Sequence, residues 1–450
     1  MKKYKLHQLL IQNHSNQTIN LLGSGLVKEN NSSSTDGMSG NASSSNTCES
    51  LGFPEIPSII NTDRSLTKRL IAIGDIHGDL DLALNCLTIA KVIQRVYLYK
   101  NKDKDNIEIK DEESDILSDF DDENDELPDN IVTLKYKDEI KVRYYQWIGE
   151  NTVVIQVGDQ VDRCRPVDNE CDHPKETVND EASDIKILFL FHDLHLVALK
   201  SPGCAVYSLL GNHELLNVLG NLRYVSYMGL EEFKKKDQKN LFEGRKEAFN
   251  IKSNLKLYKE KSNLSNFLAC ARVSSIIVDK YLFVHAGILE KLINYTDKFS
   301  NSKQTIHTIN DSIKNWLLNT DLKKDNKYVA QLLSGKTLSP FWPRIFGNLP
   351  TGLDASNKLC THHVDPVLKK LGLKGLVVGH TPQLKIDINS TCSNKVWRVD
   401  VGSSQAFEKV FAQDITDQSE EDKKKIKKGR KPQVLEIILD DNEDQFNVLK

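Results

Sequence analysis

Short runs of β-branched and other apolar residues recur along the chain, and five of them end in a small residue and polar side chains. These runs are RLIAIGD (69–75), TVVIQVGD (152–159), GCAVYSLLGNHE (203–214), YLFVHAG (281–287) and LKGLVVGHTP (373–382). Apolar runs of about four to eight residues bounded by turn-forming residues are typical of buried strands. The pattern therefore predicts five buried strands, each of which delivers polar side chains at its carboxyl end.

Helical segments are predicted between these strands. Apolar residues recur at helical spacing over 79–96, and the apolar-rich segment 182–200 predicts a second helix. Residues 231–266 are charged and are predicted to be helical. Further strands or hairpins are predicted at 131–149, 273–287, 396–402 and 434–439. Strands interleaved with helices indicate the α/β or α+β class.

Polar segments interrupt this pattern at three places. A Ser/Asn/Gly-rich composition predicts that 24–52 is largely disordered within an N-terminal extension, 1–66. The acidic segment 101–130 is predicted to be a solvated insertion in a folded domain that spans 67–450, and docking of a basic partner is the alternative. A charged loop is predicted at 417–432, before the last strand.

Charge and hydropathy restrict the classes of function. A formal net charge of -3 over 450 residues, with a pI near 6.5, argues against a general nucleic-acid binder. The apolar run near the N-terminus is too short for a signal peptide, and no apolar stretch of about 18 residues follows it. We therefore predict a soluble, cytoplasmic protein without a membrane segment.

The eight cysteines form no CxxC pair. In a chain of this length without a secretory signal, they predict no disulfide framework. Cys164 and Cys171 could form a small metal site with His173, but a surface loop with free thiols is the favoured interpretation. Three cysteines in apolar runs are predicted to be buried thiols: Cys86, Cys204 and Cys270.

The polar ends of the five runs carry side chains that bind metal ions. They supply Asp, His and Asn without a thiolate, which suits divalent Mn, Fe or Zn. Each motif alone has another interpretation. GDIHGD could be a tight turn and GNHE could be a helix cap. A histidine that follows a strand could be a core residue. Because ligands bind outside the carboxyl ends of strands in open α/β sheets, five such loops can converge. Together they predict a di-metal site, whose ions, about 3.5–4 Å apart, would clamp the reacting oxygens of a displacement.

The five motifs GDIHGD, GDQVDR, GNHE, FVHAG and VVGHTP together resemble those of the calcineurin-like metallophosphoesterases. The arginine of GDQVDR and the glutamate of GNHE resemble the phosphoprotein phosphatase branch. The segment GNHELLNVLGNLRYV (211–225) looks most similar to Shewanella-like phosphatases and to related proteins of large DNA viruses. The resemblance covers 68–410 apart from the acidic insertion. It implies a β-sandwich of two mixed sheets flanked by helices, with the di-metal site at the carboxyl ends of the strands.

The resemblance also implies a role for each candidate residue. His213 would be the general acid that protonates the leaving oxygen, and Asp162 would orient it. Arg163 would hold two phosphate oxygens in its planar fork. Arg344 would be a second phosphate arginine, with Arg223 as the alternative. The metal ligands would be Asp75 and His77 for the first ion, Asp159 for both ions, and Asn212, His285 and His380 for the second. The family has a glycine where this chain has Cys164, which puts the backbone of that loop in question.

The function that the resemblance implies is hydrolysis of phosphomonoesters through a metal-bridging hydroxide. The substrate would be a protein phosphorylated on Ser/Thr or Tyr, or a small phosphoester. A nucleotide or dinucleoside polyphosphate hydrolase is the first alternative, although those branches more often carry GNHD than GNHE. An inactive binding or scaffold protein is the second, and the intact set of ligand positions argues against it.

Overall fold

The structure is a computed structural model that describes residues 47–101, 106–110, 127–134, 142–235, 239–259, 262–299, 304–320, 326–334, 336–416 and 418–450. Its strands are β1 (Ile59–Ile60), β2 (Arg69–Ile73), β3 (Ile93–Asn101), β4 (Asn106–Lys110), β5 (Ile131–Leu134), β6 (Arg143–Trp147), β7 (Thr152–Gln156), β8 (Ala205–Ser208), β9 (Ser275–Val278), β10 (Tyr281–Val284), β11 (Gly375–Val378), β12 (Asn389–Thr391), β13 (Val396–Arg398), β14 (Val434–Ile438) and β15 (Gln445–Leu449). Its helices are α1 (Leu80–Ile89), α2 (Asp184–Ala198), α3 (Asn212–Val218), α4 (Tyr227–Glu231), α5 (Glu243–Phe249), α6 (Leu264–Ala271), α7 (Glu290–Thr296), α8 (Thr305–Leu317), α9 (Asn326–Leu333), α10 (Lys358–His363), α11 (Asp365–Leu371), α12 (Glu408–Asp414) and α13 (Glu420–Gly429).

Two mixed sheets form the centre of the fold. One has the strand order β1-β9-β10-β11-β13-β12 and the other β15-β14-β2-β7-β8. In the second sheet β2, β7 and β8 are parallel, and in the first β10 and β11 are parallel. The predicted sandwich of two mixed sheets flanked by helices is therefore confirmed.

The alternation of side chains along β2 shows how the sandwich is packed. Leu70 and Ala72 join a cluster with Phe283 and Val377 of the facing sheet. Ile71 and Ile73, which alternate with them along the strand, lie on the opposite face of the sheet and pack in the cluster that contains α1 and α2. Because both faces of the strand are covered, the sequence of β2 is a continuous apolar run rather than an alternating one.

A third sheet, β4-β3-β6-β5, is antiparallel throughout and was not predicted as a unit. The hairpin predicted at 131–149 is present as β5 and β6. The helix predicted over 79–96 ends at Ile89, however, because the chain from Ile93 onwards pairs with β6 as a strand. Part of the acidic insertion, 106–110, is also a strand, since it pairs with β3; residues 102–105 and 111–126 lie outside the described residues.

The other polar segments differ in part from their predictions. Residues 47–52 form turns, although they belong to the segment predicted to be disordered; residues 24–46 lie outside the described residues. The charged loop predicted at 417–432 contains the helix α13. Among the described residues of the predicted helical region 231–266, the helices are the end of α4, the short helix α5 and the start of α6.

Three disulfides join six of the eight cysteines, so the prediction of no disulfide framework is wrong. They pair Cys48 with Cys270, Cys164 with Cys171, and Cys360 with Cys392. Cys270 is buried as predicted but is not a free thiol, and Cys164 and Cys171 form neither a metal site nor a pair of free thiols. Cys86 and Cys204 are buried free thiols, as predicted.

In the described part of the chain, no helix is both long enough and apolar enough to cross a membrane.

Candidate metal centre

The ends of five strands from the two central sheets meet at one edge of the sandwich. They carry the six predicted metal ligands, and none of these residues is more than 6% exposed. Asp75 follows β2, Asp159 follows β7 and Asn212 follows β8, whereas His285 follows β10 and His380 follows β11. Parallel strands deliver their carboxyl ends to the same edge, so the loops predicted separately come together.

Distances between ligand atoms describe a compact cluster. His285 Nε2 lies 3.0 Å from Asn212 Oδ1, 3.1 Å from His380 Nδ1 and 3.3 Å from Asp159 Oδ2. His77 Nε2 lies 3.7 Å from an Asp75 carboxylate oxygen and 3.8 Å from Asp159 Oδ2. Asp159 is therefore close to ligand atoms on both sides of the cluster.

Unusual backbone conformations turn these side chains inwards. Four non-glycine residues of the site have left-handed φ values between 48° and 74°: His77, Asp159, Asp162 and His380. Such conformations cost free energy and are found mainly where the surrounding structure enforces them, often at functional sites. A Cβ at Gly211 would collide with the Asp159 carboxylate, and one at Gly379 with the Asp75 carboxylate. This close approach explains why the apolar runs end at glycine.

Three histidines are oriented in the same way. His77 Nδ1 lies 3.3 Å from the Val161 carbonyl oxygen and His285 Nδ1 lies 2.9 Å from the Val157 carbonyl oxygen. His380 Nε2 lies 3.0 Å from the carbonyl oxygen of Trp342. A carbonyl oxygen can only accept a hydrogen bond, so the ring nitrogen beside it carries the N–H, and the other nitrogen of each neutral histidine carries a lone pair that faces the cluster. Histidines that bind metals are held in this way.

Three carboxyl groups, those of Asp75, Asp159 and Asp400, are buried close together at the site, where cations would stabilise their ionised forms. Burial, Asp400 and Asp159 raise the pKa of Asp75 well above its ordinary value. Although burial opposes its ionisation, His285 and His213 hold the pKa of Asp159 well below the usual range. Burial raises the pKa of Asp400 to about 6. Several buried carboxylates can be ionised together only if cations compensate them.

The donor set fits divalent cations. Two groups of side chains have ligand atoms within 4.8 Å of one another: His77, Asp159 and His213, and Asp159, His285 and His380. Asp159 belongs to both groups. Imidazole nitrogens with carboxylate and amide oxygens suit Mn, Fe and Zn, and a shared carboxylate is how two ions are held close together.

His213 differs from the other three histidines because its Nδ1 faces a carboxylate. The distance to Asp162 Oδ2 is 2.7 Å, and both groups are buried. The second oxygen of Asp162 accepts hydrogen bonds from Asn217 and from Arg245, at 2.8 and 3.2 Å. Arg245 also pairs with Asp184 at 2.6 Å. Asp162 is thus fixed on both oxygens, and His213 Nε2 points towards Asp159 at 3.8 Å.

The predicted phosphate arginines occupy different surroundings. Arg163 is buried, and its guanidinium donates to the Gly78 carbonyl at 2.8 Å and pairs with Glu181 at 2.8 Å. These contacts join the loop after β2 to the loop before α2. Arg344 lies near Asp75, Asp159 and Asp400, and it donates to the carbonyl oxygen of His380 at 2.7 Å. Arg223 lies over the Tyr224 ring at 5.0 Å.

The structure shows what the glutamate of GNHE contacts, and it adds two residues that the sequence motifs did not identify. Glu214 accepts the backbone N–H groups of Asp159, Gln160 and Gly211, and so holds the loop that carries Asp159. Arg245 and Asp400 also contribute to the site. No motif marks these two, although VWRVDVG, which contains Asp400, is an apolar run that ends in Asp-x-Gly like the others.

The loop at 164–176 is built around the carboxylate of Glu176. It accepts N–H groups of Val167, Asp168 and Asn169 at 2.6–3.1 Å, and Lys409 of α12 donates to it at 3.0 Å. Although burial opposes its ionisation, these donors lower the pKa of Glu176 to about 2. The ionised carboxylate therefore stabilises the folded loop.

We expect Glu176→Gln to lower the free energy of unfolding by about 1–3 kcal/mol at pH 7, because the amide nitrogen cannot accept these N–H groups. The folded-state pKa lies below the ordinary value of 4.5. The stabilisation is therefore complete above about pH 4.5 and is lost as the pH falls towards 2. Urea unfolding at pH 7 and at pH 3.5 measures it, with the exposed Glu170→Gln on the same loop as the control. An equal loss for both variants at pH 7 would contradict this assignment.

Comparisons with known proteins agree with the geometry. A family model described as calcineurin-like phosphoesterase matches residues 68–384. An uncharacterised protein of Acanthamoeba polyphaga mimivirus is 35% identical over 230 residues, which cover 49% of this chain and 89% of that protein. Shewanella-like protein phosphatase 2 of Arabidopsis thaliana is 24% identical over 385 residues, 78% of this chain and 77% of its own. The solved structure of a mutant cold-active protein tyrosine phosphatase has a TM-score of 0.50 at 16% identity, covering 88% of this chain and 83% of that one, and so shares the fold.

Proposed function

Because the chain belongs to the calcineurin-like phosphoesterase family and is a hydrolase of that family, we propose that it is a metal-dependent protein phosphatase. Its substrates would be proteins phosphorylated on serine, threonine or tyrosine. The observation that carries the proposal is the His213–Asp162 pair, which lies beside the cluster of metal ligands. The relative named Shewanella-like protein phosphatase 2 supports the choice of a phosphoprotein substrate.

The six predicted ligands would hold two divalent ions, and manganese is the metal we propose to test first. Ions held by these residues would stabilise negative charge on the phosphoryl oxygens and would lower the pKa of bound water. The proposed ligands of the two ions share Asp159, while the carbonyl contacts of the three histidines keep their free nitrogens directed at the ions.

The chain's own residues would supply the proton and part of the binding of the phosphate. The Asp162 carboxylate holds the His213 ring through Nδ1, so that Nε2 can give a proton to the leaving oxygen of the serine, threonine or tyrosine side chain. Arg344 would lie beside the phosphoryl group, since its charge faces the carboxylates of the cluster. Arg163, the first phosphate arginine that the resemblance implies, remains a prediction.

A panel of substrates tests the proposal. Manganese-loaded protein is incubated with phosphoserine, phosphothreonine and phosphotyrosine peptides, diadenosine tetraphosphate and a phosphodiester, with Asp159→Asn as the blank. We expect one class of phosphopeptide to be hydrolysed fastest. Faster hydrolysis of diadenosine tetraphosphate would favour the dinucleoside polyphosphate alternative, and no hydrolysis above the blank would contradict the proposal.

A further inference from the structure

We propose that Arg165, two residues beyond the motif arginine, is an arginine that binds the phosphoryl group of the substrate. The inference rests on the proposed function, because it names a residue for that reaction. Arg165 stands in GDQVDRCR, immediately after the cysteine that replaces the glycine of the family. Cys164, where this chain departs from the family pattern, is therefore the residue directly before Arg165.

The position of its guanidinium is the first observation. Arg165 Nη2 lies 2.9 Å from His77 Nε2 and 3.3 Å from His213 Nε2. These are the nitrogens that face the cluster, one on a predicted metal ligand and the other on the predicted general acid. Arg163, by contrast, is bound to Gly78 and Glu181. Arg165 therefore reaches the place where the leaving oxygen and the phosphoryl group would lie.

Two aromatic rings and two carbonyl groups hold the guanidinium in this position. Its carbon lies 4.7 Å from the centre of the Phe407 ring and 5.3 Å from that of the Tyr224 ring. Nη1 donates to the carbonyl oxygens of Asp162 and Cys164 at 3.3 and 2.7 Å. Arginine stacks on aromatic faces while its N–H groups remain free to donate. Nη1 is thus occupied by the protein, and Nη2 is directed at the cluster.

The loop that carries Arg165 is fixed on three sides. The Cys164–Cys171 disulfide closes it, and the carboxylate of Glu176 accepts hydrogen bonds from its backbone N–H groups. Lys409 ties Glu176 to α12, which begins directly after Phe407. Phe407, whose ring contacts the guanidinium, is therefore joined through α12 to the loop that carries Arg165. Such an arrangement holds a side chain in place before the substrate arrives, which lowers the entropic cost of binding.

The charge of Arg165 indicates what it binds. Within the described ranges, the guanidinium makes no ion pair with a carboxylate, and its neighbours at Nη2 are imidazole nitrogens. An anion with several acceptor oxygens would satisfy both the guanidinium and the cations proposed there. A phosphoryl group has this chemistry, and arginine binds it through two N–H groups.

Inorganic phosphate, the product common to all phosphomonoesters, is the probe that tests the inference. Its dissociation constant is measured by isothermal titration calorimetry on the manganese-loaded full chain, with manganese content determined in parallel. We expect Arg165→Gln to weaken phosphate binding by roughly 10- to 100-fold at unchanged manganese content. That range corresponds to the loss of one hydrogen bond to a charged group. Arg165→Lys should recover part of the loss, because it restores the charge without the planar fork.

Two further variants make the test specific. Arg95→Gln removes an exposed arginine on β3 and should bind phosphate as the wild type does. Phe407→Leu removes one ring beneath the guanidinium and should weaken phosphate binding by roughly 2- to 5-fold. Wild-type affinity in Arg165→Gln would overturn the inference, and so would a loss of manganese in that variant, which would assign Arg165 to holding the ligands.

The inference and the proposed function fail in different measurements. Metal-loaded wild-type protein that binds no phosphate would overturn the inference. Wild-type protein that binds phosphate through Arg165 but hydrolyses none of the phosphoesters in the panel would overturn the proposed function and leave the anion site assigned.

Discussion

Asp159→Asn will bind little or no manganese and will lose phosphoester hydrolysis by roughly 10³-fold or more. Asp159 is the residue common to both groups of potential ligands, and His285 and His213 hold it in the ionised form despite its burial. Asparagine has the same shape but no charge, so it cannot compensate two cations at once. A metal site contributes several kcal/mol of transition-state stabilisation, and each factor of ten in rate corresponds to about 1.4 kcal/mol.

Metal content by mass spectrometry and turnover of a phosphopeptide measure this result. The matched control is Asp81→Asn, an exposed aspartate in the first turn of α1. Circular dichroism shows whether the fold is kept, since Asp159 Oδ1 also accepts the backbone N–H of His213 at 2.9 Å and asparagine can keep that bond. A folded Asp159→Asn protein with two equivalents of manganese would contradict the assignment of Asp159 as the shared ligand.

The sandwich and the convergence of its loops could be predicted because local sequence carries that information. β2 lies within the run 69–75 that predicts a strand, and the hairpin predicted at 273–287 is present as β9 and β10. In both cases an apolar run is bounded by residues that favour a turn. The glycine before a ligand is also a local signal, because at Gly211 and Gly379 a neighbouring carboxylate leaves no room for a Cβ.

Features that depend on distant residues could not be predicted. Arg245 pairs with Asp162 from 83 positions away, in a segment predicted only as a charged helix. Cys48 and Cys270 are 222 positions apart, and spacing alone does not determine disulfide connectivity. The helix predicted over 79–96 is present but ends at Ile89, for a related reason. Residues after Ile93 have an apolar pattern compatible with a helix, but pairing with β6 decides that they form a strand.

The disulfides also bear on the cellular environment. Three of them are present in the described residues, and disulfides persist in oxidising compartments and are rare in the cytosol. The cytoplasmic location remains a prediction from the sequence, and the disulfides are an observation against it. One of these disulfides also lies beside the site, because Cys164 stands between Arg163 and Arg165 in the chain.

His213→Ala will keep its manganese but lose turnover on substrates with poor leaving groups. General acid catalysis contributes about 10²- to 10⁴-fold, so we expect a loss in this range for phenyl phosphate or a phosphoserine peptide. The loss should be much smaller for nitrophenyl phosphate, because its leaving oxygen needs less protonation. The physical basis is the contact between His213 Nδ1 and Asp162 at 2.7 Å, which holds the ring with Nε2 towards the cluster.

The same variant separates two roles for His213, because its ring also lies within the first group of potential metal ligands. A general acid affects rate in proportion to the leaving group's need for a proton, whereas a ligand affects metal content and all substrates alike. Asp162→Asn should resemble His213→Ala in its dependence on the leaving group, since Asp162 acts through the histidine. The exposed His307→Ala is the matched control. Loss of manganese in His213→Ala, with equal losses for phenyl and nitrophenyl phosphate, would assign the residue to the metal and refute its role as the acid.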